Sequence, residues 1–332
     1  MTEATYDVVA IGNAIVDVLA NADAAFLARE GLVKGQMQLI DEERAKSLYA
    51  VMGEAQVTSG GSAANTLVGA AMMGASCRMI AQVAADQLGE VFVHDMHVQG
   101  IECPVPPREA SVETGRCLIL VSEEDGERTM NTFLGAAQFL PPDAIEEAVI
   151  ASAKVLLLEG YLWDPLEPRA AMKRAIRIAR DHGRKVALGV SATFCIMNHH
   201  ADFTALLDAG DVDILFANQE EALALAQTDD VETALAQLAA KVPLLVVTHG
   251  PEGAVAIELG ERATVTAEPV DKVVDTTGAG DLFSAGFLAG YVRGRSNADS
   301  LRMGAIAAAE CIGHMGARPQ TDLRHLIADR LD

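Results

Sequence analysis

From its N-terminus the chain alternates short apolar runs with stretches of helical period, and the pattern of that alternation predicts most of the fold. Tyr6-Asp7-Val8-Val9-Ala10-Ile11-Gly12-Asn13 is a buried-type strand that ends in glycine and asparagine. The stretch from Ala14-Ile15-Val16-Asp17 to Ile40 has no clean period and yields no assignment. Asp41–Met52 predicts a helix with an acidic first turn, and Ser59-Gly60-Gly61-Ser62-Ala63-Ala64-Asn65-Thr66 opens a small-residue helix ending near Gly74. A strand at Arg78–Val83 and a helix at Gln87–Gln99 follow, then a break at Cys103-Pro104-Val105-Pro106-Pro107.

Next the rhythm changes. Gly115–Ser122 and Arg128–Leu134 are strand-like runs joined by Glu123-Glu124-Asp125-Gly126-Glu127, and Asp-Gly between such runs is a strong hairpin signal. Regular alternation resumes with strands at Lys154–Glu159, Lys185–Val190, Asp213–Ala217 and Leu244–Thr248. Helical patterns separate them around Pro165–Asp181, Ala201–Leu207 and Gln219–Leu238. Gly253–Leu259 and Arg262–Ala267 predict an antiparallel pair. Val273-Val274-Asp275 reads as a strand end, Thr276-Thr277-Gly278-Ala279-Gly280 as a glycine turn, and the apolar run from Asp281 to about Tyr291 as a helix. Two helices, Asn297–Gly313 and Asp322–Leu331, close the chain. A strand-then-helix rhythm implies an α/β domain with a mostly parallel sheet covered on both faces, and the hairpin is a flap on it. No repeat, low-complexity tract or long linker divides the 332 residues, so the expectation is one domain.

Composition narrows the function. A net charge of −22 argues against nucleic acid or an anionic membrane as partner. It also means that an anionic substrate must be met by local devices: backbone N–H groups, an arginine, a metal ion. Five scattered cysteines without a C-x-x-C suggest reduced thiols in a cytosol, with no disulfide framework and no zinc site. Met1-Thr2-Glu3-Ala4-Thr5 carries no secretory pattern and the apolar runs are too short to span a bilayer, so a cytoplasmic protein is expected.

The most chemical segment is the glycine turn. Gly278 and Gly280 let the backbone turn tightly and let a ligand approach the main chain. The helix that follows offers unpaired N–H groups and the positive end of its dipole, which together make an anion site. Asp281 at that helix start carries two readings. It is either the cap of an ordinary helix or the base that takes a proton from an attacking hydroxyl beside a transferring phosphoryl group. No G-x-x-x-x-G-K-[ST] occurs, and Phe283 stands where a dinucleotide fingerprint would need its third glycine.

Other candidates lie at predicted strand ends, where ligands sit in open parallel sheets. Gly60-Gly61 again precedes a helix, and the Asn65 amide can both donate to and accept from a sugar diol; tight helix packing explains the same residues. Glu221, in Asn218-Gln219-Glu220-Glu221, is either a Mg2+ ligand, direct or through water, or an ordinary acidic first turn. Arg128 is either a phosphate ligand or a surface arginine. His94 with His97 and the pair His199-His200 lack a third ligand, and a solvated or packed helix face is the preferred reading. Ser59 and Ser284 have no discernible triad partners.

Ser59-Gly60-Gly61-Ser62-Ala63-Ala64-Asn65 and Asp275-Thr276-Thr277-Gly278-Ala279-Gly280-Asp281 together resemble the two signatures of the ribokinase (PfkB) family of carbohydrate and nucleoside kinases. Asn218-x-x-Glu221 and Thr248-x-Gly250 fall at the expected places between them, so the resemblance spans the chain. It implies a ribokinase-like β/α/β sandwich in one domain over residues 1–332, with a small β-sheet lid from segments of roughly 14–40 and 108–136. It further implies Asp281 as catalytic base, with the Gly278, Ala279 and Gly280 N–H groups as anion hole. Asn13, Asp17, Gly60, Gly61 and Asn65 would bind the acceptor. Arg128, Asn218, Thr248, Gly250 and Thr277 would serve ATP and its phosphates, with the region 308–313 lining the nucleotide site, and Glu221 would organise Mg2+.

Within the family, Gly12–Asp17, Arg128-Thr129-Met130-Asn131 and Glu159-Gly160-Tyr161 are most similar to bacterial adenosine kinase-like members. Phe133, Tyr161 and Met37 are then candidates for an adenine slot. The implied reaction is ATP-dependent phosphorylation of the 5′-hydroxyl of adenosine, with a sugar kinase or a catalytically silent binding regulator as alternatives. A K+ requirement and the choice between monomer and homodimer stay open. Ser191-Ala192-Thr193 lacks the acidic residue that many members carry after that strand.

Overall fold

In the computed structural model, which describes residues 4–109, 112–124 and 126–331, thirteen strands form two sheets. In chain order they are β1 (Tyr6–Ile11), β2 (Ile15–Ala22), β3 (Met37–Leu39), β4 (Ala55–Gly60), β5 (Cys77–Ile80), β6 (Gly115–Ser122) and β7 (Arg128–Phe133). Then follow β8 (Ala153–Glu159), β9 (Lys185–Gly189), β10 (Ile214–Asn218), β11 (Leu244–Thr248), β12 (Ala254–Glu258) and β13 (Glu261–Val265). The large sheet runs β13-β12-β11-β10-β9-β8-β1-β5 and is parallel except for β12 and β13, as the strand–helix rhythm implies. Its central strands are buried on both faces, which is why they read as unbroken apolar runs.

The small sheet runs β3-β7-β6-β2-β4. The predicted hairpin is its β6–β7 pair, with Arg116 opposite Phe133 and Val121 opposite Arg128; Asp125 of the predicted turn lies outside the described residues. Four of the five strands fall within the segments expected for a lid, while β4 lies outside both. β4 and β2 escaped assignment because their alternation is diluted by polar residues.

The chain departs from expectation at three more places. Val273-Val274 is not a strand: both residues are more than a third exposed, and the Val274 N–H donates to the Ile312 carbonyl at 2.8 Å instead of to a sheet. The pattern over 219–238 is two helices, Gln219–Ala226 and Val231–Ala239, broken at Gln227, which takes a left-handed φ of 52°. The second restarts where the Asp230 carboxylate accepts from the Thr233 N–H at 2.8 Å. The helix read at 201–207 extends over Thr193–Asp208, with non-helical geometry at His199.

One packing contact positions the site. Helices Ser62–Met72 and Ala279–Tyr291 lie so close that a Cβ on Gly69 would come within 2.6 Å of Leu282 Cδ1 and 2.8 Å of Ala285 Cβ. The small-residue composition of both helices is what permits that approach. It sets their first turns, with Ser62 and Asn65 on one and Asp281 on the other, side by side. Among the described residues no helix is long and apolar enough to cross a membrane, and all five cysteines are free thiols.

Candidate active site

The helix Ala279–Tyr291 starts from Gly278, whose φ of 79° only glycine adopts without strain. A Cβ there would also stand 2.5 Å from Ala317 Cβ. The turn is braced by Asp275, buried, whose carboxylate accepts from the Thr277 N–H at 3.0 Å and the Gly316 N–H at 2.9 Å. No side chain caps the helix; the Ala279 N–H donates to the Thr276 carbonyl at 3.2 Å, and the first-turn N–H of Gly280 keeps its capacity for a ligand. Gly280 is exposed, and a Cβ there would meet nothing within 4 Å. The turn is therefore open to an anion.

Asp281 does not cap its own helix. One oxygen accepts from Ser62 Oγ at 2.6 Å and the other from Asn65 Nδ2 at 2.9 Å. Burial raises its carboxyl above the ordinary carboxylate range, opposed by those two donors and by Arg318. The residue as a whole keeps partial exposure. The Asn65 Oδ1 has no protein partner, which leaves an acceptor next to this carboxylate.

Asp17 projects from β2, and a side chain at Gly60 would collide with its carboxylate. Burial pushes it up to about 7; Arg318 and then Arg128 pull it down, while Asp281 and Asp275 push it further up. Asn13 is fastened by Glu159, a buried carboxylate that accepts from Asn13 Nδ2 at 2.6 Å, the Asn13 N–H at 3.3 Å and the Ala63 N–H at 2.9 Å. Burial pushes Glu159 up to about 7 as well. It ties the end of β1 to the first turn of Ser62–Met72, a role the sequence reading missed because a glutamate ending an apolar strand gives no local signal.

Arg128 is no surface residue. It is buried, its guanidinium pairs with the Asp275 carboxylate, and its Nη1 donates to Thr277 Oγ1 at 2.9 Å. An arginine of the small sheet is thus parked on the glycine turn. Register separates the proposed base contacts. Cross-strand partners share a face, so Asp17, Leu19, Ile119, Met130 and Met37 lie on the face that carries Arg128. Phe133 lies on the other face, buried beside the Arg116 guanidinium at 5.8 Å, and the structure does not bring it to the site. Tyr161 follows β8, its ring centroid 5.9 Å from that of Phe194, which is 39% exposed and which sequence reasoning passed over. Nearby Ser191 holds a left-handed φ of 72°, the kind of strain that collects at functional sites.

On the nucleotide side, Asn218 stands opposite Thr248 across β10 and β11, and Gly250 has a φ of 57°. Asn218 and Glu221 form a reciprocal helix cap: Asn218 Oδ1 accepts from the Glu221 N–H and Glu221 Oε2 from the Asn218 N–H, both at 2.9 Å. Burial raises the Glu221 carboxyl. Among the described residues no group of three His, Cys, Asp or Glu side chains could hold a metal ion, and His94 and His97 lie on an exposed helix face. A Mg2+ ion would therefore rely on one carboxylate, waters and phosphate oxygens, a donor set that suits it.

The family model for pfkB family carbohydrate kinases matches residues 8–323. The crystal structure of adenosine kinase from Sinorhizobium meliloti superposes with a TM-score of 0.92 at 46% identity, covering 98% of this chain and 99% of that one. A probable sugar kinase protein from Rhizobium etli CFN 42 gives a TM-score of 0.92 at 45% identity, covering 98% of each chain. Adenosine kinase of Saccharomyces cerevisiae is 28% identical over 334 residues, 94% of this chain and 96% of its own length.

Proposed function

The chain belongs to the pfkB family of carbohydrate kinases, and from that premise we propose that it transfers the γ-phosphoryl of ATP to the 5′-hydroxyl of adenosine, giving AMP. The observation that carries the reading is the Asp281 carboxylate, held by Ser62 and Asn65 beside the open, uncapped turn at Gly278–Gly280. A hydroxyl placed between the carboxylate and the turn loses its proton to Asp281, while the N–H groups of Gly278 and Gly280, with that of Ala279 drawn from the Thr276 carbonyl, take up charge on the phosphoryl oxygens. Asn13, Asp17, Gly61 and Asn65 hold the ribose hydroxyls. Arg128 leaves Thr277 and Asp275 to meet phosphate, and Asn218, Thr248 and Gly250 flank the nucleotide. Glu221, with one oxygen committed to the Asn218 N–H and the other uncommitted, would hold Mg2+ directly or through water. When bound, that ion neutralises phosphate charge.

A nucleoside acceptor is favoured by the partly exposed Phe194 against Tyr161, and by the apolar face of the small sheet next to Asp17. Together they supply flat apolar surface for a base that a free sugar does not need. The Sinorhizobium adenosine kinase points the same way. The near-equal likeness to the probable sugar kinase protein of Rhizobium etli makes a sugar acceptor the competing reading. Measuring ADP release with adenosine, inosine, ribose, fructose and fructose 6-phosphate decides between them. Adenosine should give the highest kcat/KM; faster turnover of a sugar refutes the acceptor, and no ADP with any of them refutes the kinase reading.

A further inference from the structure

Arg318 lies on the loop after helix Asn297–Cys311 and belongs to neither signature. Its guanidinium is only partly exposed, and all three of its nitrogens are used. Nε donates to the Ser59 carbonyl at 3.0 Å, Nη2 to Ser59 Oγ at 2.9 Å and Nη1 to the Ala64 carbonyl at 3.0 Å. Ser59 belongs to β4 of the small sheet and Ala64 to the first turn of the helix that presents Ser62 and Asn65 to Asp281. One planar fork therefore spans Gly60-Gly61, fixing the strand on one side and the helix on the other. Its backbone neighbour Ala317 packs against Gly278, and Gly316 donates to Asp275, so the same three-residue strap also touches the anion turn.

We propose that Arg318 is a positioning residue for the acceptor: its guanidinium fork sets the Ser59–Asn65 turn against which the Asp17 carboxylate lies at Gly60, so that turn and carboxylate are placed together for the acceptor's hydroxyls. This rests on the reading of Asp17 as an acceptor-binding carboxylate. The charged and titratable groups around Asp17 are Arg318 and Arg128 on one side of the balance and Asp281, Asp275 and the Cys117 thiol on the other; Asp95 also faces Arg318. Arg318 is the larger of the two attractive influences on Asp17. It pays for that with its own desolvation, which pulls it down to about 10. Without it Asp17, already near 7, moves into the protonated form at neutral pH. A carboxylic acid offers a hydroxyl one fewer acceptor than a carboxylate does.

The test compares Arg318→Met and Arg318→Lys with the parent enzyme, using kcat, KM for adenosine and KM for ATP from pH 5.5 to 9. In Arg318→Met the KM for adenosine rises about 5-fold at pH 7, because a one-unit shift from near 7 cuts the ionised fraction from about one half to about one eleventh, and it recovers toward the parent as pH rises. The acid limb of kcat/KM moves up by about one pH unit, and KM for ATP changes less than 3-fold. Arg318→Lys keeps the charge without the fork, so the acid limb returns to its parent position while kcat/KM stays reduced. An unchanged acid limb in Arg318→Met overturns the proposal, as does a loss of kcat alone. If Arg318→Met does not fold, an upward-shifted limb in Arg318→Lys overturns it by itself. A parent enzyme inactive on adenosine but active on another acceptor refutes the acceptor reading, and the same comparison is then made with that acceptor.

Discussion

Replacing Asp281 by asparagine removes a base and little else, and the structure allows the consequence to be sized. The two oxygens of Asp281 accept from Ser62 Oγ at 2.6 Å and Asn65 Nδ2 at 2.9 Å. An asparagine in the same rotamer keeps its Oδ1 on Asn65, and the Ser62 hydroxyl can rotate to accept from the new amide, so both contacts survive. The fold should too. The substitution also removes a buried charge whose carboxyl burial already raises, so the melting temperature should hold or rise. General-base help is worth roughly 10²–10⁴ in rate, about 2.7–5.4 kcal/mol of barrier. In a coupled ADP-release assay Asp281→Asn should therefore lose at least 100-fold in kcat. Adenosine binding measured by calorimetry should stay within about 3-fold, a shift under about 0.7 kcal/mol. A kcat loss below 10-fold would show that no base acts here. A loss of adenosine affinity as large as the loss of rate would make Asp281 a binding residue.

Two glycines of the turn should separate folding from function. Gly280→Ala adds a methyl that meets no protein atom within 4 Å, in a helix where alanine is favoured by roughly 0.5–1 kcal/mol. It should fold at least as well and lose about 10-fold or more in kcat/KM, because the methyl crowds the anion's approach. Gly278→Ala must hold a φ of 79° against Ala317, at about 1–2 kcal/mol of backbone strain before any clash, and should show a lowered melting temperature. If both variants melt alike and both stay active, the turn does not bind phosphate. Asp17→Asn tests linkage. The native carboxyl titrates near 7 against an ordinary 3.8, so its ionisation costs the folded state nothing below about pH 4 and the full penalty above about pH 7. The variant should gain about 1–3 kcal/mol over the parent at pH 8 and nothing near pH 4, while losing acceptor binding. An equal gain at both pH values would refute the assigned shift.

The large sheet was legible because its strands are buried on both faces and so appear as apolar runs, as in Val155-Leu156-Leu157-Leu158. The small sheet was half legible. β6 and β7 showed themselves through a turn signal, whereas β2 and β4 carry Asp17, Gln56 and Thr58 on the face of Arg128 and a buried Ser59 on the other, polar residues that no periodicity announces. The two signature segments were readable as chemistry, but their partners were not. Glu159 and Arg318 act through contacts 96 and more residues away in sequence, Glu159 on Ala63 and Arg318 on Ser59 and Ala64. Phe133 was misplaced by one step of strand alternation, which turns a side chain to the opposite face. Phe194 went unread because it opens a helix that the apolar pattern located only from residue 201.

The acidity of the chain and the chemistry of its site pull against each other, and the site shows how they coexist. A protein of net charge −22 has no surface field that would draw in ATP. At the cleft it also gathers Asp17, Glu159 and Asp281, each raised by burial. Two placements offset this. Arg318 is fixed, spending every nitrogen on the turn between its two carboxylate neighbours, and so acts when no ligand is bound. Arg128 is conditional: it rides on the small sheet and sits on Asp275 and Thr277, where an incoming phosphate would compete for it. Both charges bear on one sheet, because Asp17 on β2 and Arg128 on β7 belong to it and Arg318 fastens its β4 to the helix Ser62–Met72. On the proposed reading Arg318 therefore serves the acceptor's groups as they stand, whereas Arg128 serves the donor only once phosphate draws it from Asp275 and Thr277.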